Sequence, residues 1–103
     1  MTKPVGQALA DLGKIFTDRN ALYSDNYKHF GEVMIGLFPN GITLKTIDDY
    51  NRFALFMQAQ IKMTRYAMLF AKGGHIDSLD DAAVYAQMLQ EIDGEILEKA
   101  VKK

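Results

Sequence analysis

The chain has 103 residues and a mass of 11.6 kDa, the size of one domain, and its 49% hydrophobic and 24% charged residues exclude long disorder. Lys and Arg number 12 against 13 Asp and Glu, so the net charge of −1 excludes the basic excess of a general nucleic-acid-binding coat protein. Without cysteine there is no disulfide, thiolate zinc site or cysteine nucleophile, and no apolar run approaches the ~20 residues of a membrane span.

Residues 1–6, Met-Thr-Lys-Pro-Val-Gly, lack the apolar core of a signal peptide, so a cytoplasmic protein is expected. A helix is expected from Pro4 to Asp18. Val5, Ala8, Leu9, Leu12, Ile15 and Phe16 recur at three- and four-residue steps and share one stripe. Pro4 suits the start, where a missing N–H costs nothing. A second helix is expected from Asn26 to Leu37, with Tyr27, Phe30, Val33, Met34 and Leu37 on its apolar face. Ser24 or Asp25 can cap it, and Pro39-Asn40-Gly41 ends it with turn chemistry.

The third helix is expected to be the long one, from Thr46 to Lys72. Thr46 to Asp49 reads as a capping box with Asp49 in place of glutamate. Gly73-Gly74 stops it. About 27 residues make a rod of roughly 40 Å, more than the other helices can cover. The fourth helix is expected to start with Ser78 as its cap and Asp81 three residues on. Its buried face is Leu79, Ala82, Tyr85, Ala86, Leu89, Ile92 and Ile96, with an interruption at Gly94. The fold expected for residues 1–103 is therefore a single all-α domain: a three- to four-helix bundle with one long central helix, assembled as an oligomer.

Four polar groups carry whatever chemistry the chain has. Tyr23, Ser24, Asp25, Asn26 and Tyr27 form either a capping loop or a polar lip over a pocket. Lys62 and Arg65 share a ribbon of the third helix, either reaching to water or holding an anion. His75, Asp77, Ser78 and Asp81 gather at the start of the fourth helix. The acids there complement the helix dipole, or Asp77 and Asp81 take a hard cation such as Mg²⁺, or the group hydrogen-bonds a ribose or base. Tyr85 follows Asp81 by one turn and is either core or a partner for Asp81 or a ligand. Glu91, Asp93, Glu95 and Glu98 spread around their helix as a solvated face. No phosphate loop and no Gly-x-Ser-x-Gly elbow occur, and His29 and His75 lack zinc spacing.

The order Tyr23-x-Asp25-Asn26-x-x-x-Phe30, Lys62-x-x-Arg65 and His75-x-Asp77-Ser78-x-x-Asp81-x-x-x-Tyr85-Ala86 resembles a family of small helical phage proteins of unassigned function. Ser24 stands where that family has glycine. The family is distantly similar to the all-α nucleotide pyrophosphohydrolases of the MazG kind, which hold Mg²⁺ with a Glu-Glu-x-x-Glu helix and a later Glu-x-x-Asp pair. This chain departs from that pattern, because Glu32 is its only glutamate before Glu91. The lead expectation is a phage-encoded protein of the host cytoplasm that forms a homo-oligomer and binds a nucleotide or cyclic nucleotide, the binding by analogy with small oligomeric phage proteins that sequester such signals. In that reading it sequesters a signal of antiphage defence without turnover and without a cofactor. Lys62 and Arg65 would neutralise phosphate, Asp77, Ser78 and Asp81 would contact ribose or base, and Tyr23, Tyr66 or Tyr85 would stack. Two alternatives belong to other classes: a Mg²⁺-dependent nucleotide pyrophosphohydrolase or nucleotide kinase, and an interaction module that inhibits a host enzyme.

Overall fold

The computed structural model describes residues 2–23 and 26–101, without the side chains of residues 22, 23 and 26. Four α-helices follow one another: α1 Val5–Tyr23, α2 Phe30–Leu37, α3 Ile47–Met68 and α4 Ile76–Val101. Short 3-10 turns occupy Asn26–Lys28 and Phe70–Lys72, and no strand occurs among the described residues. The all-α class expected from the sequence is what the chain adopts.

α1 begins where the sequence places it, with the Ala8 N–H donating to the Pro4 carbonyl at 3.0 Å. It ends at Tyr23 rather than Asp18, because no breaker stands among Arg19, Asn20, Ala21 and Leu22. The second helix starts later than expected. Asn26–Lys28 winds as a 3-10 turn, and α2 opens at Phe30 after His29, which gives it no side-chain cap. Ser24 and Asp25, the expected caps, lie outside the described residues. Gly41 closes the following turn with φ of 78° and donates to the Phe38 carbonyl at 3.0 Å.

The capping box of α3 forms as read. The Thr46 hydroxyl accepts from the Asp49 N–H at 3.0 Å, and the Asp49 carboxylate accepts from the N–H of Thr46 at 3.2 Å and of Lys45 at 3.1 Å. The Lys45 and Thr46 backbone bonds hold the Asp49 carboxyl below the usual carboxylate range. These bonds favour the anion. Their contribution is complete above the ordinary carboxylate pKa and is lost as pH falls through the lowered one. Thr46→Ala is expected to cost about 1 kcal/mol at neutral pH, read from the urea midpoint. Asp49→Asn should flatten the acid limb of the wild-type stability profile; an unchanged limb would remove Asp49 from the cap.

α3 is not the single long rod. It spans 22 residues and hands over to a 3-10 turn, whereas α4 spans 26 and is the longest helix. Gly73, at φ of 102°, and Gly74, at φ of 86°, reverse the chain between them. The two helices pack antiparallel, as two cross-links show: Lys62 meets Asp81 and, ten residues earlier on α3, Arg52 meets Asp93 at 2.7 Å. Asp93, expected on a solvated face, is thus half of an inter-helix pair. Gly94 does not interrupt α4, because a single glycine costs only about 1 kcal/mol in so long a helix. Ser78 is not the cap. α4 begins two residues earlier, where the His75 carbonyl accepts from the Leu79 N–H, and Ser78 is inside the first turn.

The core is thin. Among the described residues only Thr64, Leu69, Ser78 and Ala82 are buried: Leu69 closes α3, Ser78 and Ala82 lie in the first turns of α4, and Thr64 lines a groove of α3 beside His29 and Val33. Phe38 adds a second contact, with its ring 5.5 Å from Phe56 and 6.1 Å from Phe53. The stripe of α1 exists as read, but Val5, Leu9, Leu12, Ile15 and Phe16 are all exposed in the single chain. The radius of gyration is 18.0 Å, against about 13 Å for a compact chain of this length.

Candidate ligand-binding cleft

Residues three apart on a helix project about 60° from one another, and on α3 this small divergence separates Lys62 from Arg65. Lys62 turns to α4. Its ammonium lies 3.1 Å from the Asp81 carboxylate, with the Lys62 side chain only 18% exposed. Arg65 turns to the other side and is half-buried in a cleft of about 350 Å³. The two members of the expected cationic strip therefore have different surroundings.

The cleft is built by four elements. α1 supplies Phe16, Arg19 and Asn20 from its second half, the 3-10 turn supplies Tyr27, and α2 and α3 supply Phe30, Ile61 and Arg65. Phe16 and Tyr27 meet edge to face, with centroids 5.8 Å apart and planes at 71°. The Lys28 ammonium lies 5.7 Å from the centroid of the Tyr27 ring. The described lining thus combines three aromatic rings, two guanidinium groups and one carboxamide, and holds no carboxylate. Rings of this kind hold flat apolar surface, and guanidinium groups grip oxyanions through paired N–H donors. Such a cleft fits a small guest with a flat end and an anionic end.

The other expected site residues fall into separate places. His75 and Ser78 are brought together, with Nδ1 2.6 Å from Oγ, and Ser78 is only 1% exposed. Asp77 stands exposed in the first turn of α4, and Tyr85 is half-buried one turn after Asp81. Tyr66 faces the turn after α3: its ring meets Phe70 at 6.1 Å and lies against Gly74. Asp25 and the side chains of Tyr23 and Asn26 lie outside the described residues. Among the described residues no three His, Asp or Glu side chains come together as a metal-binding group, and no helix is long and apolar enough to cross a membrane.

Sequence reading missed Phe16, Arg19 and Asn20 as lining residues, took Phe30 as part of the apolar face of a helix, and read Tyr27 both there and in a polar lip over a pocket. One signal was available. Val5, Leu12 and Arg19 are seven residues apart, so a cation stands where the apolar stripe should repeat. No protein-family model, curated protein or solved structure matches this chain.

Proposed function

We propose that the protein binds a nucleotide or cyclic nucleotide in the cleft between α1, the Asn26–Lys28 turn and α3, as one subunit of a homo-oligomer. The observation that supports this reading is the presence of aromatic rings and two guanidinium groups in one cleft. Arg65 and Arg19 take the phosphate, while Phe16, Tyr27 and Phe30 receive the base. Stacking of a base on an aromatic ring contributes about 1–3 kcal/mol, and a hydrogen bond to a charged group about 1.5–3 kcal/mol. The described lining supplies cations, an amide and rings, which suits capture better than proton transfer. In its narrowest form the role is sequestration of a nucleotide signal of antiphage defence, and this form rests on analogy with small oligomeric phage proteins that act as nucleotide sponges.

The oligomeric half of the reading rests on surface. A compact monomer of 11.6 kDa exposes about 5,800 Å². This chain exposes 8163 Å². The excess is roughly 2,300 Å², the scale of a large permanent interface.

Native mass spectrometry of the purified protein, followed by calorimetry with mono-, di- and cyclic nucleotides, tests both halves. The expected result is an oligomer that binds a nucleotide and releases it unchanged on denaturation. Product formation in the presence of Mg²⁺ would assign an enzyme of nucleotide metabolism instead. Absence of nucleotide affinity would leave the interaction module.

A further inference from the structure

We infer that a second copy of this chain covers the apolar stripe of α1 and, in doing so, closes the nucleotide cleft. The inference rests on the binding reading above only for its second half. Five large apolar side chains of α1 face solvent in the single chain, from Val5 at 75% exposed to Ile15 at 46%. They follow the spacing of a helix built to lie against another helix. The rest of the chain approaches α1 at its second half, where Phe16 and Arg19 line the cleft, and leaves the stripe from Val5 to Leu12 open.

The occupant is identified by area and by charge. The surface in excess of a compact monomer, roughly 2,300 Å² per chain, is several times the ~800 Å² that each partner contributes to an ordinary interface. The polar faces of α1 carry both signs, since Lys14 and Arg19 stand beside Asp11 and Asp18, and Asp11 is already held by Lys3 and Gln7. A second α1 therefore meets mixed charge and not a block of one sign.

A two-fold contact pairs a surface with itself, and the line Val5, Leu12, Arg19 has Leu12 at its centre. An antiparallel pairing centred there sets Leu12 against the partner's Leu12, Phe16 against the partner's Ala8, and Arg19 beside the partner's Val5. The first turns of the partner's helix lie over the wall of the cleft made by Phe16. Each cleft is thus open in a lone chain and lidded in the pair. Ligand and partner favour the same arrangement, so each strengthens binding of the other by the same factor.

The chain has no cysteine, so single cysteines report the contact cleanly. Leu12→Cys is expected to cross-link nearly completely under mild oxidation, and Lys14→Cys, which projects from another side of the helix, is expected to stay uncrosslinked. Light scattering should give at least a dimer for the wild type. Leu12→Asp should lower that mass while helical content by circular dichroism is retained. A nucleotide that binds should lower the dissociation constant of the dimer at least several-fold. A monomer with a scattering radius near 13 Å would overturn the inference, because α1 would then fold back on its own chain. An oligomer in which Leu12→Cys fails to cross-link would also overturn it. An oligomer indifferent to a bound nucleotide would overturn the lid. Cross-linking without nucleotide affinity would leave the seam standing and remove the proposed function alone.

Discussion

Replacing Gly74 by valine is expected to lower the stability of the fold by about 2–4 kcal/mol, a large share of the ~5–15 kcal/mol that holds a typical domain. Two independent costs meet at this residue. Its φ of 86° lies in the left-handed region, where a side chain branched at Cβ is strained by about 1–3 kcal/mol. A Cβ at Gly74 would also stand 2.7 Å from Cε2 of Tyr66, closer than carbon atoms approach. The Tyr66 ring does not yield freely, because it is half-buried and set edge-on to Phe70 at 6.1 Å. The Gly74 N–H donates to the Leu69 carbonyl at 2.8 Å, and Leu69 is 4% exposed. A shift of the turn would therefore disturb one of the few buried points the fold has. Gly73 separates the two costs, since its φ is 102° but a Cβ there meets nothing within 4 Å. Gly73→Ala should show the backbone cost alone, and Gly74→Ala should exceed it in urea unfolding. Tyr66→Ala should recover part of the difference when combined with Gly74→Ala. Equal losses at the two glycines would mean that the Tyr66 contact does not constrain the turn.

Local signals were legible in the sequence and long-range ones were not. Thr46 and Asp49 are three residues apart, and the physics of their cap is complete within one turn. The reversal at Gly73 and Gly74 is likewise local. Ser78 misled because its type and spacing to Asp81 match a cap, but α4 starts at Ile76, and the Ser78 hydroxyl, inside the first turn, pairs with Nδ1 of His75 just before the helix. The Asp93–Arg52 pair joins residues 41 apart in sequence, so no spacing rule could reveal it. The stripe of α1 was read correctly as a pattern. Its destination was not, because periodicity states that a face must be covered and is silent on which chain covers it. The cleft suffered the same way. Lys62 and Arg65 were visible as neighbours on one helix, but the rings and the second guanidinium that surround Arg65 come from α1, the turn before α2 and the first residue of α2. The acid that meets Lys62 comes from α4.

That divergence yields the most discriminating expected result for the site. Arg65→Ala should weaken nucleotide binding by about 10- to 150-fold, the ~1.5–3 kcal/mol of a charged hydrogen bond removed from a partly buried position. Arg65→Lys should fall between, because an ammonium keeps the charge and loses the planar fork. Arg19→Ala should cost less than Arg65→Ala, because Arg19 is exposed on α1 and its field is screened by water. Lys62→Ala should leave affinity nearly unchanged. Its ammonium is already engaged by Asp81, which is half-exposed and tolerates the loss, so the change should be a stability loss of under about 1 kcal/mol. Binding is measured by calorimetry at two salt concentrations, with circular dichroism confirming the helices of each variant. The salt dependence should shrink for Arg65→Ala and stay as in wild type for Lys62→Ala. If Lys62→Ala instead loses as much affinity as Arg65→Ala, the phosphate sits at the α3–α4 seam beside Asp81. The aromatic cleft would then be a wall awaiting its partner helix and not the binding site.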